Sequence, residues 1–457
     1  MSVSMFEYKR RRLPNILPAK VSGRVRRVTG LIVEATPMPI PVGSLCYIFS
    51  RLTRQAVEAE VVGFDKTKTL MMPLGEMRGI GPGDRVESST TEQVVPVGDH
   101  LLGRVLDGMG RPMDGKGPIV ATATYPIYND PPDPVMRPRI SDVLSTGVRC
   151  LDGFITVGKG QRIGIMAGSG VGKSTLLGML TRNSDAQVAV LALIGERGRE
   201  VRDFLDRDLG PEGMAKSVVV IATSDQPATV RVKAPFVATA IAEYFRDQGK
   251  DVTLLMDTIT RMAMAQRDIG GSIGEVAAAK GYTPSTFALM PRLMERAGRT
   301  EKGSITGFYT VLVEGDDMNE PVADTARGIL DGHIVLSRRL AHRNHYPAVD
   351  VLESISRVMS EIVPKEFLQA SRRLRQCLAT YKEAEELINI GAYTPGSNPE
   401  IDKARNVIND INAILQQDMF DATPYNDTVQ RILTVAQKSH QEVQVRRPPQ
   451  QGQPQRR

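Results

Sequence analysis

The sequence predicts an α/β protein with three parts: a small N-terminal β-barrel, a central domain on a mostly parallel sheet, and a C-terminal helical domain. Short β-type runs separated by turn clusters fill residues 21–92. From Arg162 onward, brief and uniformly apolar runs alternate with helical stretches, and beyond Val363 apolar residues recur at helical 3 and 4 spacing. A chain of 457 residues has room for such a division, at roughly 150 residues per domain.

In chain order, the β-type runs at 25–33, 45–49 and 57–63 are broken by Thr36-Pro37-Met38-Pro39 and Gly79-Ile80-Gly81-Pro82-Gly83. Strands this short at this spacing suit a small barrel, assigned to residues 21–94. Residues 96–160, rich in Gly and Pro, include Asp107-Gly108-Met109-Gly110-Arg111-Pro112 and Asp130-Pro131-Pro132-Asp133-Pro134, and read as a connector into the next domain. The apolar runs at 163–167, 188–194, 217–222, 252–256 and 308–313 lack alternation, the pattern of parallel strands covered on both faces. They place the central domain at 95–363. Residues 366–390 and 399–417 are amphipathic, which puts the helical domain at 364–440 and leaves a Pro-, Gln- and Arg-rich tail at 441–457 that reads as disordered.

Composition narrows the class. With 41% hydrophobic and 24% charged residues the chain is neither wholly disordered nor collagen-like. Three cysteines, Cys46, Cys150 and Cys377, form no CxxC pair or zinc-ligand spacing and fit a reducing compartment. The net charge of +6 comes from the ends, where Lys9, Arg10, Arg11 and Arg12 face only Glu7, and Arg446, Arg447, Arg456 and Arg457 face only Glu442. Residues 13–440 are formally neutral, which argues against nucleic acid as a partner. No apolar run approaches the length of a membrane span, and no apolar region follows the basic N-terminus as in a secretory signal, so a cytoplasmic location is expected.

The chemistry is carried by Ala167-Gly168-Ser169-Gly170-Val171-Gly172-Lys173-Ser174-Thr175, which directly follows an apolar strand and precedes a helical stretch. Glycines let successive N–H groups curl around phosphate oxygens, and the helix N-terminus adds its positive end. In this pattern Lys173 reaches the β- and γ-phosphates and Ser174 ligates Mg²⁺, so a nucleotide with Mg²⁺ is the expected ligand pair. The first position is Ala where the loop pattern has Gly. The run ending at Asp257 supplies a strand-end carboxylate for the metal. Gly195-Glu196-Arg197-Gly198-Arg199-Glu200 follows another strand, where ligands of α/β sheets bind, and places Glu196 to polarise an attacking water.

Together with Asp257-Thr258-Ile259-Thr260-Arg261 and Tyr346-Pro347-Ala348-Val349-Asp350 through Arg357, these motifs resemble the catalytic subunits of rotary ATP synthases and, more narrowly, the ATPases of flagellar and type III protein export. The resemblance runs from about residue 20 to residue 440. It implies a RecA-like central domain and a homohexameric ring. It further implies that Lys173, Glu196, Arg197, Arg261 and Arg357 are catalytic and that Gly168 through Thr175 with Tyr346 hold the nucleotide. Ser174 and Asp257 would hold the metal. Tyr346 matches the aromatic that stacks on adenine, although a Tyr before Pro also serves for simple packing. Arg357 matches an arginine inserted into the neighbouring subunit's site.

One chain carrying Glu196, Asp257 and Arg357 suits a homohexamer, and the stretch from Leu387 to Ile401 lacks the acidic torque segment of the synthases. The resemblance also implies partners: a stator-like regulator at residues 1–20, a central stalk protein, export chaperones with their substrates, and peripheral contact with the export gate at the inner membrane. Residues 1–20 are equally compatible with a solvated tail. Alternatives are a synthase-type catalytic subunit, a silent regulatory ring subunit and, at greater distance, an RNA-translocating hexamer. Against the last stand only three aromatics, Tyr47, Phe49 and Phe64, in residues 22–92.

Overall fold

Six antiparallel strands close the N-terminal barrel in the order β1-β2-β5-β4-β3-β6, with β6 paired back onto β1. They are β1 (Ser22–Thr29), β2 (Ile32–Ala35), β3 (Leu45–Phe49), β4 (Ala56–Asp65), β5 (Lys68–Pro73) and β6 (Arg85–Ser88). Inward residues alternate with outward ones, and Val25, Val33, Cys46, Ile48, Val61, Met71 and Val86 fill the interior. The run at 25–33 is not one strand: Gly30, at a φ of +57°, turns it into a hairpin of β1 and β2. The computed structural model describes residues 21–89, 93–313, 315 and 317–439. The N-terminal partner segment and the tail, with their basic clusters, lie outside the described residues.

The Gly- and Pro-rich stretch expected as a connector instead contributes strands. β7 (Val94–Val97) pairs antiparallel with β9 (Ala123–Pro126), and β8 (Arg104–Asp107) joins the central sheet beside β14. Turns at Gly103 and Gly110, with φ of +76° and +79°, fold β8 onto an edge that would otherwise expose unpaired N–H and C=O groups. Asp114 ties the turn down. Its carboxylate accepts from Arg104 Nε at 2.7 Å and Val105 N at 3.0 Å, and the Arg104 guanidinium holds its carboxyl well below the usual range.

After a small ladder of β10 (Val143–Leu144) and β11 (Val157–Gly158), the chain builds the sheet. It adds β12 (Arg162–Ala167), β13 (Val188–Ile194), β14 (Ser217–Ala222), β15 (Asp251–Asp257), β16 (Gly298–Arg299), β17 (Ser304–Leu312), β18 (Gly332–Leu336) and β19 (Ile355–Ser356). The order is β19-β18-β12-β17-β15-β13-β14-β8, parallel throughout except β19, with β16 antiparallel on β17. Every residue of β13 and β14 is buried. Their alternation serves two cores: Val188, Val190, Ala192 and Ile194 pack with helix Ala228–Asp247, whereas Ala189, Leu191 and Leu193 pack with helix Lys173–Asn183.

The C-terminal part consists of helices Lys365–Asn389, Pro399–Leu415 and Tyr425–Lys438. Leu374, Leu378, Val407, Ile411 and Ile432 share the core that includes Leu176, Leu177 and Leu180 of helix Lys173–Asn183. Burial pushes the Cys150 thiol up to about 12 and Cys46 to about 11, so neither is a ready nucleophile. No described helix is long and apolar enough to cross a membrane.

Two buried cations brace the fold, one between the central domain and the barrel and one within the central domain. Lys233 on helix Ala228–Asp247 reaches Glu60 of the barrel strand β4 at 2.6 Å. Arg296, fully buried, makes a two-pronged contact with Glu243 at 2.9 and 2.7 Å and donates to Ile127 O at 2.6 Å. Removing one member leaves an uncompensated buried charge. Arg296→Met is therefore expected to lower unfolding stability by about 3–5 kcal/mol, and Glu243→Met with Arg296→Met to regain most of it, as read from denaturant midpoints.

Candidate active site

β12 ends at Ala167, and the chain enters helix Lys173–Asn183 through a loop held by Gly170 and Gly172 at φ of +76° and +92°. A side chain at either position would be strained. Gly172 is the N-cap, and no side chain caps the helix, so its first-turn N–H groups are left to an external acceptor. Val171 lies in the core, so only its backbone faces the loop.

Three strand ends converge on Lys173. Asp257, the last residue of β15 and 4% exposed, contacts the Lys173 ammonium and accepts from Thr310 Oγ1 at 2.8 Å. Glu196, two residues past β13 and 8% exposed, lies 3.5 Å from Lys173 Nζ and 3.3 Å from Arg261 Nε. The Arg261 contact is one of charge without an aligned hydrogen bond. Arg261 occupies the first turn of helix Ile259–Ser272, whose cap Thr258 accepts its backbone N–H at 3.2 Å. Gly195 makes that approach possible: at φ +67°, a Cβ there would stand 2.7 Å from Arg261 Cδ.

Lys173, Glu196 and Arg261 open on a cavity of about 900 Å³ lined also by Gly168, Ser169, Gly170, Gly172, Ser174, Thr175 and Arg197, whereas Asp257, behind Lys173, and Tyr346 do not line it. That volume suits a nucleotide. Arg197 is mostly exposed at the rim and pairs with Glu200 at 3.4 Å. Tyr346 packs its ring over the loop, with Cε1 3.5 Å from where a Gly172 Cβ would stand. The donor set of Ser174 hydroxyl and Asp257 carboxylate is the hard-oxygen kind that Mg²⁺ takes, and Asp257 already stabilises a cation in the form of Lys173. The residues present therefore fit a magnesium nucleotide.

Arg357 stands apart. It follows the edge strand β19, is exposed, and donates its N–H to Asp331 O at 3.0 Å. Because Ser356 pairs with Gly332 at the start of β18, Arg357 sits at the amino ends of the strands, whereas the phosphate loop sits at their carboxyl ends. The two levels are roughly 15–20 Å apart along β12 at about 3.3 Å per residue.

Sequence reasoning passed over several lining or supporting residues. Thr310 anchors Asp257 from the intervening strand β17, and its signal is a threonine inside the apolar run at 308–313. Arg338 lines the cavity just past the carboxyl end of β18, where the strand-end rule applied to that strand leads. Arg207 and the Lys280–Asp317 pair, at 3.2 Å, come from segments that only the tertiary fold brings to the cavity.

Known proteins resemble the chain over both its nucleotide-binding and its helical parts. Residues 147–356 match the family model for the ATP synthase alpha/beta family, nucleotide-binding domain. Residues 363–434 match the model for the T3SS EscN ATPase C-terminal domain. The chain is 54% identical to the flagellum-specific ATP synthase of Bacillus subtilis over 385 residues, covering 84% of this chain and 87% of that protein. It is 47% identical to the type 3 secretion system ATPase of Xanthomonas euvesicatoria, covering 93% and 96%. The assembled ATPase EscN of enteropathogenic E. coli superposes with a TM-score of 0.86 at 45% identity, over 91% of this chain and all of that one. EscN in complex with its central stalk EscO gives 0.84 at 44%, with the same coverage.

The close seat of Arg261 against Gly195 gives a direct test. Gly195→Ala is expected to displace Arg261 and to cost about 1–2 kcal/mol from the left-handed backbone alone. A lower denaturant midpoint together with reduced ATP turnover is the expected result.

Proposed function

We propose that this chain, which belongs to the family of flagellum-specific and type III secretion ATPases, hydrolyses magnesium ATP in a homohexameric ring to energise protein export. The observation that carries the reading is the part-buried Lys173 set against the buried carboxylates of Glu196 and Asp257, beside a phosphate loop at the carboxyl ends of a parallel sheet. The match of residues 363–434 to an export-ATPase C-terminal domain favours the export branch over a synthase subunit.

In this reading the loop N–H groups and Lys173 bind the β- and γ-phosphates. As the ammonium engages phosphate, Glu196 is released from it and its carboxylate orients and polarises water for attack on phosphorus. Magnesium, held by Ser174 and by Asp257, would supply charge neutralisation on the β- and γ-oxygens. Thr310 keeps Asp257 aimed, while Arg261 and Arg197 contact phosphate. Tyr346 stacks on the base, as its half-exposed ring beside Gly172 allows.

Arg357 acts in trans. Its distance from its own chain's loop supports a role in the neighbouring subunit's site, where a cation reaching the γ-phosphoryl oxygens can contribute about 10³–10⁵ in rate. The assembled form of the similar EscN and its complex with a central stalk support the ring and a stalk protein within it. Chaperone–substrate release, a stator-like regulator at residues 1–20 and a peripheral position at the inner-membrane export gate complete the proposal.

Glu196→Gln is expected to retain ATP binding and to lose at least about 10²-fold in turnover, the upper part of the fall being set by general-base catalysis. Unchanged turnover would remove Glu196 from its role. Wild-type activity per subunit is expected to rise with protein concentration in step with mass. Arg357→Ala is expected to abolish that rise while binding nucleotide normally; a fully active monomer would overturn the trans role.

A further inference from the structure

We infer that Gln417 is a positioning residue for the base of the nucleotide, holding Tyr346 at its height over the phosphate loop. The inference rests on the reading of Tyr346 as the base-stacking aromatic. Helix Pro399–Leu415 ends one residue before Gln416, and residues 416–423 then cross the nucleotide domain. Gln417, 6% exposed, is bonded in four directions. Its backbone N–H donates to Tyr346 O at 2.9 Å. Its Oε1 accepts from Arg149 N at 2.8 Å, and its Nε2 donates to Gly147 O at 2.8 Å and to Asp421 O at 2.9 Å.

The neighbouring bonds repeat the theme. Gln416 Nε2 meets His345 Nδ1 at 3.2 Å, so two consecutive residues of the crossing segment grip two consecutive residues of the 345–346 stretch. Arg149 Nη1 donates to Asp421 at 2.7 Å and to Thr423 at 3.0 Å. At the far end of helix Lys173–Asn183, Arg182 donates to Met419 O and Asn183 to Asp421 O at 3.1 Å. One segment therefore holds the helix that follows the phosphate loop at both ends: through Tyr346 beside Gly172, and through Arg182 and Asn183 at its last turn.

Tyr346 needs such an anchor. The residue is 43% exposed and its ring touches the loop at Gly172 on one side, so its backbone has a large share in setting where the ring sits. The Gln417 N–H holds that backbone, and the buried carboxamide in turn holds Gln417. Loss of the carboxamide frees the segment without touching phosphate, metal or water. The expected signature is weaker nucleotide binding with chemistry intact, and it vanishes when the ring it positions is absent.

The test uses the full chain with Gln417→Ala, Tyr346→Ala and the double variant, and reads steady-state ATP hydrolysis. Gln417→Ala is expected to raise KM for ATP about 3- to 10-fold with kcat within about twofold of wild type. Tyr346→Ala is expected to raise KM at least as much, and the double variant to exceed Tyr346→Ala by less than about twofold. Multiplicative KM effects in the double variant, or a folded Gln417→Ala with unchanged KM, would overturn the inference. An unchanged KM in Tyr346→Ala would remove the stacking reading itself. A raised KM there with none in Gln417→Ala would remove only the role of Gln417. If Gln417→Ala does not fold, Gln416→Ala at the exposed neighbouring position serves instead. It is expected to raise KM about twofold in the Tyr346 background and not in Tyr346→Ala, and an unchanged KM in both would sink the proposal.

Discussion

One ammonium shared between two buried carboxylates is the constraint on which the rest of the structure depends. Lys173 can stand between Asp257 and Glu196 only if three strands end at one level, because each residue is carried by a different strand or the turn after it. Parallel pairing supplies that level. In β12, β15 and β13 the carboxyl ends all point the same way, so loops leaving them meet above one edge of the sheet. Two acids near one another are costly unless a cation neutralises them, and here that cation is the residue that opens the helix after the phosphate loop.

The arrangement is rigid where precision matters. Thr310 reaches Asp257 from the strand between β12 and β15, and Thr260 Oγ1 accepts from Leu312 N at 2.9 Å, which locks the helix bearing Arg261 to the same strand. Gly195 lets Arg261 lie against the turn that carries Glu196. Behind the site, alternate residues of β13 load both cores of the domain. Beyond it, the 416–423 crossing and the Lys233–Glu60 contact connect the helical and barrel parts to the same framework.

Much of this was legible in the amino-acid order. Uniform apolarity marked β13 and β14 at their full extents, and a Gly-rich loop between strand and helix marked the nucleotide cavity, because both signals depend on neighbours in sequence. The hairpin at Gly30 and the strands within 94–126 were hidden for a related reason. A turn residue inside an apolar run, or a short strand between turns, changes local composition little, and pairing partners decide the outcome. Arg207, Lys280 and Asp317 carry no local mark at all, since a charged loop residue looks the same whether it faces solvent or a cavity.

By itself, the sequence determined the three-part α/β architecture, the phosphate loop and the strand-end carboxylates, since periodicity and loop chemistry are local properties. The tertiary structure alone decided that Lys173 bridges Asp257 and Glu196, that Thr310 anchors the former, and that the 416–423 segment reaches Tyr346. It also decided that Arg357 lies at the opposite end of the strands from its own chain's loop. These are distances between residues far apart in the chain, fixed by sheet order and helix packing, and no local pattern encodes them.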